Sequence, residues 1–365
     1  MSVIVVGAGI SGLSTAWALT RRGVAVTLLE QGAIPNPLSA SGDQHRIIRR
    51  AYGGQGGYQR RIGDAYAAWD EMWSDLGQKH LVDTGFMLLS QEPGDGGEIY
   101  RNGLVEGGYP IEDLSPADVA ERFPFVDPAT IRYGGVSAEG GVLLCQKIAA
   151  GLRDWLVANG ADVRANTAVS KVDAAVGSVT LMDGAELNAD HVVVTAGAWT
   201  LGLFPKLDIS LTTYRTAVVY LTPPVDLQSA WEHAPTILDP GGKIDGYVLP
   251  PVAGTGLKFG AGTHRYKAAP NQDRAAKPGE GEQLRDYFSP PFGRIEEYRV
   301  DDVVTCAYTF TSDEHFFART EGKATIVSAC SGHGYKFGAV VGQKLAEGVV
   351  TGDLENTRVW LEARD

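Results

Sequence analysis

Cysteine is scarce: three residues in 365, Cys145, Cys306 and Cys330, with no CxxC pair and no histidine at a zinc-ligand spacing. That excludes a disulfide framework and a structural zinc site, and it points to a reducing compartment. A basic surplus is also missing. With 32 Lys+Arg against 44 Asp+Glu the formal charge is −12, and no long basic run offsets it; neither nucleic acid nor an anionic membrane is expected as the main partner. No apolar stretch approaches the roughly 18 residues of a membrane span. Met1-Ser2 leads straight into Val3-Ile4-Val5-Val6, without the charged and apolar regions of a secretory leader. A cytoplasmic protein is expected. Hydrophobic residues are not lacking: at 44% they can fill a sizeable core, which excludes a disordered chain. The length supports about two domains. Glycine is in excess, 46 of 365, against a usual ~7%.

Many of those glycines punctuate strands and helices. Val3–Val6 is a β-branched run, Gly7-Ala8-Gly9-Ile10-Ser11-Gly12 turns it into a helix over Leu13–Arg22 stopped by Gly23, and Val24–Leu29 is a second apolar run ending on Glu30. This is a βαβ unit whose strands are apolar on both faces, as parallel strands are. Ile34–Gly57 reads as a loop, with a helical turn or two over Gln44–Ala51, and Tyr58–Leu76 as an amphipathic helix. Short strands and turns follow over His80–Gly141. A helix over Cys145–Asn159, a strand at Asp162–Arg164, a hairpin across Asp183-Gly184 and a buried strand His191–Thr195 restore the parallel pattern. Leu211–Leu221 and Tyr247–Gly260 read as long strands, Ala261–Leu284 as an exposed polar loop, Ala324–Ala329 as a strand, Cys330–Gly334 as a turn and Lys336–Val350 as a helix.

The chemistry-bearing residues sit at these junctions. In Gly7-x-Gly9-x-x-Gly12 one glycine permits the turn, one lets backbone approach a pyrophosphate and one lets helix and strand pack, while the helix N-terminus offers amides to the anion. Glu30, at the end of the next strand, is placed to accept from ribose hydroxyls. The motif predicts a dinucleotide but does not separate NAD from FAD. Arg46-Ile47-Ile48-Arg49-Arg50 sets arginines around an apolar pair; a guanidinium fork matches a carboxylate, and a solvated basic face is the alternative. Ser331-Gly332-His333-Gly334-Tyr335-Lys336 opens the last helix, where negative charge can be held. Taken alone, Cys306 reads as an inert buried thiol and His333 as a structural histidine.

Together, GxGxxG with its terminal Glu30, Arg46–Gly53 (RIIRRAYG), Cys306–Phe316 (CAYTFTSDEHF) and Cys330–Gly338 (CSGHGYKFG) resemble monomeric sarcosine oxidase and its N-methyltryptophan and pipecolate oxidase relatives, within the D-amino-acid-oxidase-like flavoproteins. The resemblance runs in order from residue 3 to about 350. It implies an α/β fold: a Rossmann-like FAD-binding domain of the glutathione-reductase type (1–80, 141–210 and 303–365), interleaved with an α+β substrate domain (81–140 and 211–302) built on a large antiparallel or mixed sheet. It implies FAD attached through its 8α-methyl to Cys306, with Gly7, Gly9, Ser11, Gly12, Glu30, Val169, Gly197, Gly332 and Gly334 around the cofactor and Arg46 packed against the flavin. Arg49 and Lys336 match the pair that grips the substrate carboxylate. Lys258, in Gly256-Leu257-Lys258-Phe259-Gly260, matches the lysine that promotes reaction with O2, and Tyr247 and Tyr308 match pocket tyrosines.

Two positions depart from sarcosine oxidases. A small hydroxyl residue before the first arginine is here His45, titratable near neutrality by its ordinary pKa, and a histidine four residues after the oxygen lysine is here Gly262, with His264 two positions on. The resemblance therefore implies an oxidase of a secondary or N-substituted amino acid. A hydride passes from the C–H next to nitrogen to flavin N5, water hydrolyses the imine, and O2 becomes H2O2. Arg46, Arg49, Lys258 and Lys336 form a cationic cluster that favours the unprotonated amine. The alternatives are a dehydrogenase passing electrons to a quinone or protein, an Amadori-compound or cyclic imino acid oxidase, and a flavin-binding subunit with little chemistry of its own. The expected partners are a small carboxylate-bearing amino acid and O2, and the chain is expected to be a monomer.

Overall fold

Val3–Val6 is apolar on both faces because both faces are covered. In the computed structural model, which describes residues 1–328 and 331–364, Val3 and Val5 join the core under the helices Ile10–Arg21, Gly56–Leu76, Cys145–Ala158 and Gly338–Thr351. Ile4 and Val6 point the other way, into a second core shared with Val179, Val192 and Val194. Period-two alternation along a strand sends neighbours to opposite sides.

Ser2–Val6 is central in a six-stranded sheet, flanked by His191–Val194 and Ala25–Leu29, with Ala324–Ser328 and Asp162–Arg164 beyond them. These five strands are parallel, and Phe317–Glu321 adds an antiparallel edge. The hairpin Ser178–Leu181 and Glu186–Asn188 forms a separate three-stranded sheet with Val169–Asp173. A second large sheet has eight strands: Arg299–Phe310, Thr212–Thr222, Leu257–Lys267, Gly246–Leu249, Thr236–Asp239, Phe86–Ser90, Tyr133–Ser137 and Glu112–Leu114, in that spatial order. Its pairs are antiparallel except Thr236–Asp239 with Phe86–Ser90. Trp231, Phe259, Phe288 and Phe292 pack behind it. Arg299–Phe310 crosses the expected division at residue 303 and carries Cys306 and Tyr308 within the eight-stranded sheet.

Three local readings are corrected. Gln44–Ala51 is not helical: His45–Arg49 is a strand paired with Gly140–Leu144, as the β-branched Ile47-Ile48 favours. Tyr247–Gly260 is two strands, Gly246–Leu249 and Leu257–Lys267, because Pro250 and Pro251 cannot donate to a ladder. Ala261–Leu284 is not all exposed loop. Its first part continues the strand to Lys267, with side chains alternately exposed and half-buried beyond Ala261, and that polar alternation reads as a loop by composition. Glu280–Asp286 is a short helix. The part of the expected turn at Cys330 lies outside the described residues.

Candidate active site

Where Ser2–Val6 ends, Gly7 takes φ +99°, and a Cβ there would lie 2.7 Å from the Thr195 carbonyl oxygen. A Cβ at Gly12 would lie 1.8 Å from the Gly7 carbonyl oxygen, so neither position admits a side chain. The N-cap Gly9 brings no side chain to the helix Ile10–Arg21, Ser41 Oγ accepts from its Ile10 amide at 3.0 Å, and its positive end borders a cleft of about 390 Å3. Gly7, Gly9, Ser11, Glu30, Val169, Gly197 and Gly334 line this cleft. Glu30 is buried; its carboxylate accepts from the Ala8 amide (2.8 Å), the Gly32 amide (3.0 Å) and Asn36 Nδ2 (2.9 Å). It therefore braces the glycine turn while facing the cleft. A turn closed to Cβ atoms, a helix N-terminus at the cleft and a carboxylate at the strand end fit a dinucleotide such as FAD.

A second cavity, of about 230 Å3, lies between this cleft and the eight-stranded sheet. Gly334 borders the first space while Gly332, His333, Tyr335 and Lys336 border the second, so one turn separates the two. Arg46, Arg49, Tyr247, Tyr308 and Gly262 also line the second cavity. Successive strand residues face opposite ways. Arg46 accordingly turns to Asp43 and Tyr308, and Arg49 to Tyr52 and Tyr100. The Arg49 guanidinium lies 4.3 Å from the Tyr52 ring centre and Lys336 Nζ 5.5 Å from the same ring. Two buried cations thus converge on one aromatic ring. Arg49 also donates to the Ala51 carbonyl and Lys336 to the His333 carbonyl (3.0 Å).

Lys258 lies outside the cavity lining. It is fully buried, with Nζ 2.9 Å from Asp43 Oδ2 and 2.6 Å from the His45 carbonyl oxygen. Asp43 also pairs with Arg46 Nη1 (2.6 Å) and accepts from the Tyr220 hydroxyl (2.5 Å). Burial alone would raise the Asp43 pKa; Lys258 and Arg46 overcome it and hold the carboxyl well below its ordinary range. Burial pushes Lys258 down to about 8 even with Asp43 beside it. The cationic cluster is thus partly compensated. Asp43 was not among the expected site residues, although an acid three positions before Arg46 in a buried-looking segment was a usable signal.

His45 lines neither cavity; its ring stacks on Tyr220 at 6.1 Å, and burial together with the Lys258 charge pushes its pKa well below its ordinary value. Burial likewise pushes His333 down to about 3, and its Nε2 sits 3.0 Å from the Glu314 carbonyl oxygen. Cys306 is buried opposite Thr216 and shares a strand face with Tyr308 and Phe310, which line the cavity. Burial raises its thiol pKa against the pull of Arg46. Burial keeps Tyr247 and Tyr308 as neutral phenols. Tyr247 lies over Gly260, where a Cβ would come within 2.6 Å of its ring.

At Gly262 the space is taken: a Cβ would lie 2.2 Å from the Asp245 carboxylate. His264 turns instead to Glu280, at 2.8 Å. Asp239, Asp245, Tyr52 and Tyr100 line the cavity and were not anticipated. Tyr52 follows the arginine segment directly, whereas Asp239, Asp245 and Tyr100 come from a strand end, a loop and a helix far from it, where sequence spacing carries no signal.

Comparisons with known proteins agree with this geometry. The chain is 28% identical over 366 residues to the monomeric sarcosine oxidase of Arthrobacter sp., covering 97% of this chain and 93% of that protein. It is 30% identical over 363 residues to the peroxisomal sarcosine oxidase of Mus musculus, covering 94% and 90%. The fold matches NikD, described as an unusual amino acid oxidase essential for nikkomycin biosynthesis, with TM-score 0.81 and 21% identity over 96% of this chain and 95% of that one. The FAD dependent oxidoreductase family profile matches residues 2–348, and the chain belongs to that family of FAD-dependent enzymes.

Proposed function

We propose that this enzyme oxidises a secondary or otherwise N-substituted amino acid and passes the electrons to O2. The observation that carries the reading is the convergence of Arg49 and Lys336 on the Tyr52 ring at one end of the cavity. Two cations in a buried site match a carboxylate, and holding it there orients the C–H next to nitrogen. The same positive charge disfavours an ammonium at the reacting nitrogen, so the amine is held unprotonated without a dedicated base. FAD, when bound in the glycine-lined cleft, supplies the two-electron acceptor. Cys306 is its attachment point in this reading, placed on the face that Tyr308 presents to the cavity. Arg46, fixed by Asp43, packs at the junction of cleft and cavity. Lys258, tethered by Asp43 and the His45 carbonyl, provides positive charge for O2 reduction. Asp43, Tyr247 and Tyr308 act here as positioning and wall residues.

Acid precipitation of the purified protein tests the attachment: a yellow wild-type pellet and a colourless Cys306→Ala pellet are expected, and a colourless wild-type pellet rejects it. A peroxide-coupled screen of N-methyl, cyclic and glycated amino acids tests the reaction. Flavin reduction by substrate without peroxide would replace the oxidase reading with a dehydrogenase.

A further inference from the structure

Beyond Arg49 the substrate cavity opens into a neighbouring depression. Tyr52, Gln55, Tyr100, Asp239, Asp245 and Glu314 line both spaces, which makes them continuous. The inner end is cationic and the outer wall is acidic. Asp239 is only 5% exposed, and its Oδ1 accepts from the Gly241 amide at 2.7 Å. Its Oδ2 receives no hydrogen bond among the described residues. That oxygen faces Gly96, in the same depression, where a Cβ would lie 2.2 Å from it. The missing side chain at Gly96 thus makes room for the Asp239 carboxylate at the wall of the depression. Asp245, at the exposed rim, forms no ion pair among the described residues, and the absence of a side chain at Gly262 makes room for its carboxylate. Glu314 is already paired with Arg265 at 3.1 Å. Lys243 stands on the outer lip, exposed to solvent.

We propose that the substrate carries a positive charge away from the reacting nitrogen: its carboxylate lies on Arg49 and Lys336, and a distal ammonium or guanidinium lies between Asp239 and Asp245, which makes it an N-substituted basic amino acid. This rests on the carboxylate role given to Arg49 and Lys336 above. Two carboxylates in one partly dry wall repel each other, and burial with Asp245 and Asp95 nearby pushes Asp239 up to about 7. A cation between them relieves that repulsion. An apolar tail in the same place strips water from both acids and returns nothing, so neutral substrates are rejected as well as basic ones attracted. The reacting amine sits at the cationic end and the distal charge at the acidic end, so one cavity favours a neutral nitrogen and a charged one at different places.

The test compares N-methyl-L-lysine with N-methyl-L-norleucine, alike in length but differing in the terminal charge, by stopped-flow reduction of the holoenzyme flavin. A preference of at least tenfold in kcat/KM for the lysine compound is expected, carried by KM. In Asp239→Asn and Asp245→Asn that ratio falls at least fivefold. A ratio near one, or a ratio that neither variant changes, overturns the proposal. If neither compound reduces the flavin, the proposed reaction falls instead. The charge preference is then read from thermal stabilisation of the holoenzyme by each compound, and equal shifts overturn it.

Discussion

Replacing Asp239 by asparagine should stabilise the protein at neutral pH, although it removes a buried polar charge from the cavity wall. Asparagine keeps the shape, and its Oδ1 still accepts from the Gly241 amide that Asp239 now holds at 2.7 Å. What it removes is the cost of ionisation. A carboxyl that titrates near 7 when folded, rather than at its ordinary value of 3.8, costs the folded state about 4 kcal/mol once fully charged, at about 1.36 kcal/mol per pH unit. The sign follows from proton counting. Between about pH 4 and pH 7 the unfolded chain has released this proton and the folded chain retains it, so wild-type stability falls as pH rises through that window. Between pH 5 and pH 8 the asparagine variant should gain about 3 kcal/mol on wild type, two of those pH units lying below the folded pKa. For a chain of this size that is about 4 °C in thermal midpoint. The assay is the Tm of both holoenzymes at pH 5 and pH 8. Parallel pH profiles, or a variant less stable than wild type at pH 8, would refute the reasoning. A gain would mean that the wild-type acid is retained at a cost in stability, as expected of a group kept for binding.

Three other substitutions test the remaining parts of the site. Asp43→Asn leaves Lys258 and Arg46 buried without their shared counter-charge; a loss of about 3–5 kcal/mol, seen as a clearly lower Tm, is expected, and an unchanged Tm would discard Asp43 as the hub. Lys258→Met should slow reoxidation of the reduced flavin by O2 far more than its reduction by substrate, measured as separate half-reactions; equal effects count against the oxygen role. Arg49→Ala should raise KM for carboxylate-bearing substrates by about thirtyfold or more, from loss of a charge-assisted contact of about 2–3 kcal/mol. Unchanged saturation by them would remove Arg49 from the carboxylate site.

Legibility in the sequence followed the range of the interactions. The glycine turn was readable because its function is local: Gly7 and Gly12 are required by contacts with the backbone of the same βαβ unit and its neighbouring strand. The arginine segment was readable in residue type but not in conformation, since Ile47-Ile48 pairs with Gly140–Leu144, about a hundred residues away. The charge state of His45 depends on packing in the same way. Its ordinary pKa lies near neutrality, and only the packing of Tyr220 and Lys258 around it decides that it stays neutral.

By itself the sequence carried the dinucleotide fingerprint of its first strand–turn–helix, an acidic balance that argues against polyanions as main partners, and the cations and tyrosines available for a site. These depend on residue type, short spacing and composition, which survive without coordinates. Only the tertiary structure decided that Asp43 joins Lys258 to Arg46, that Lys336 and Arg49 meet at Tyr52, and that Asp239 and Asp245 line the same cavity from a distant strand end and loop. Charge–charge and desolvation energies depend on distance and burial, and these are set by strands that come together from distant parts of the chain.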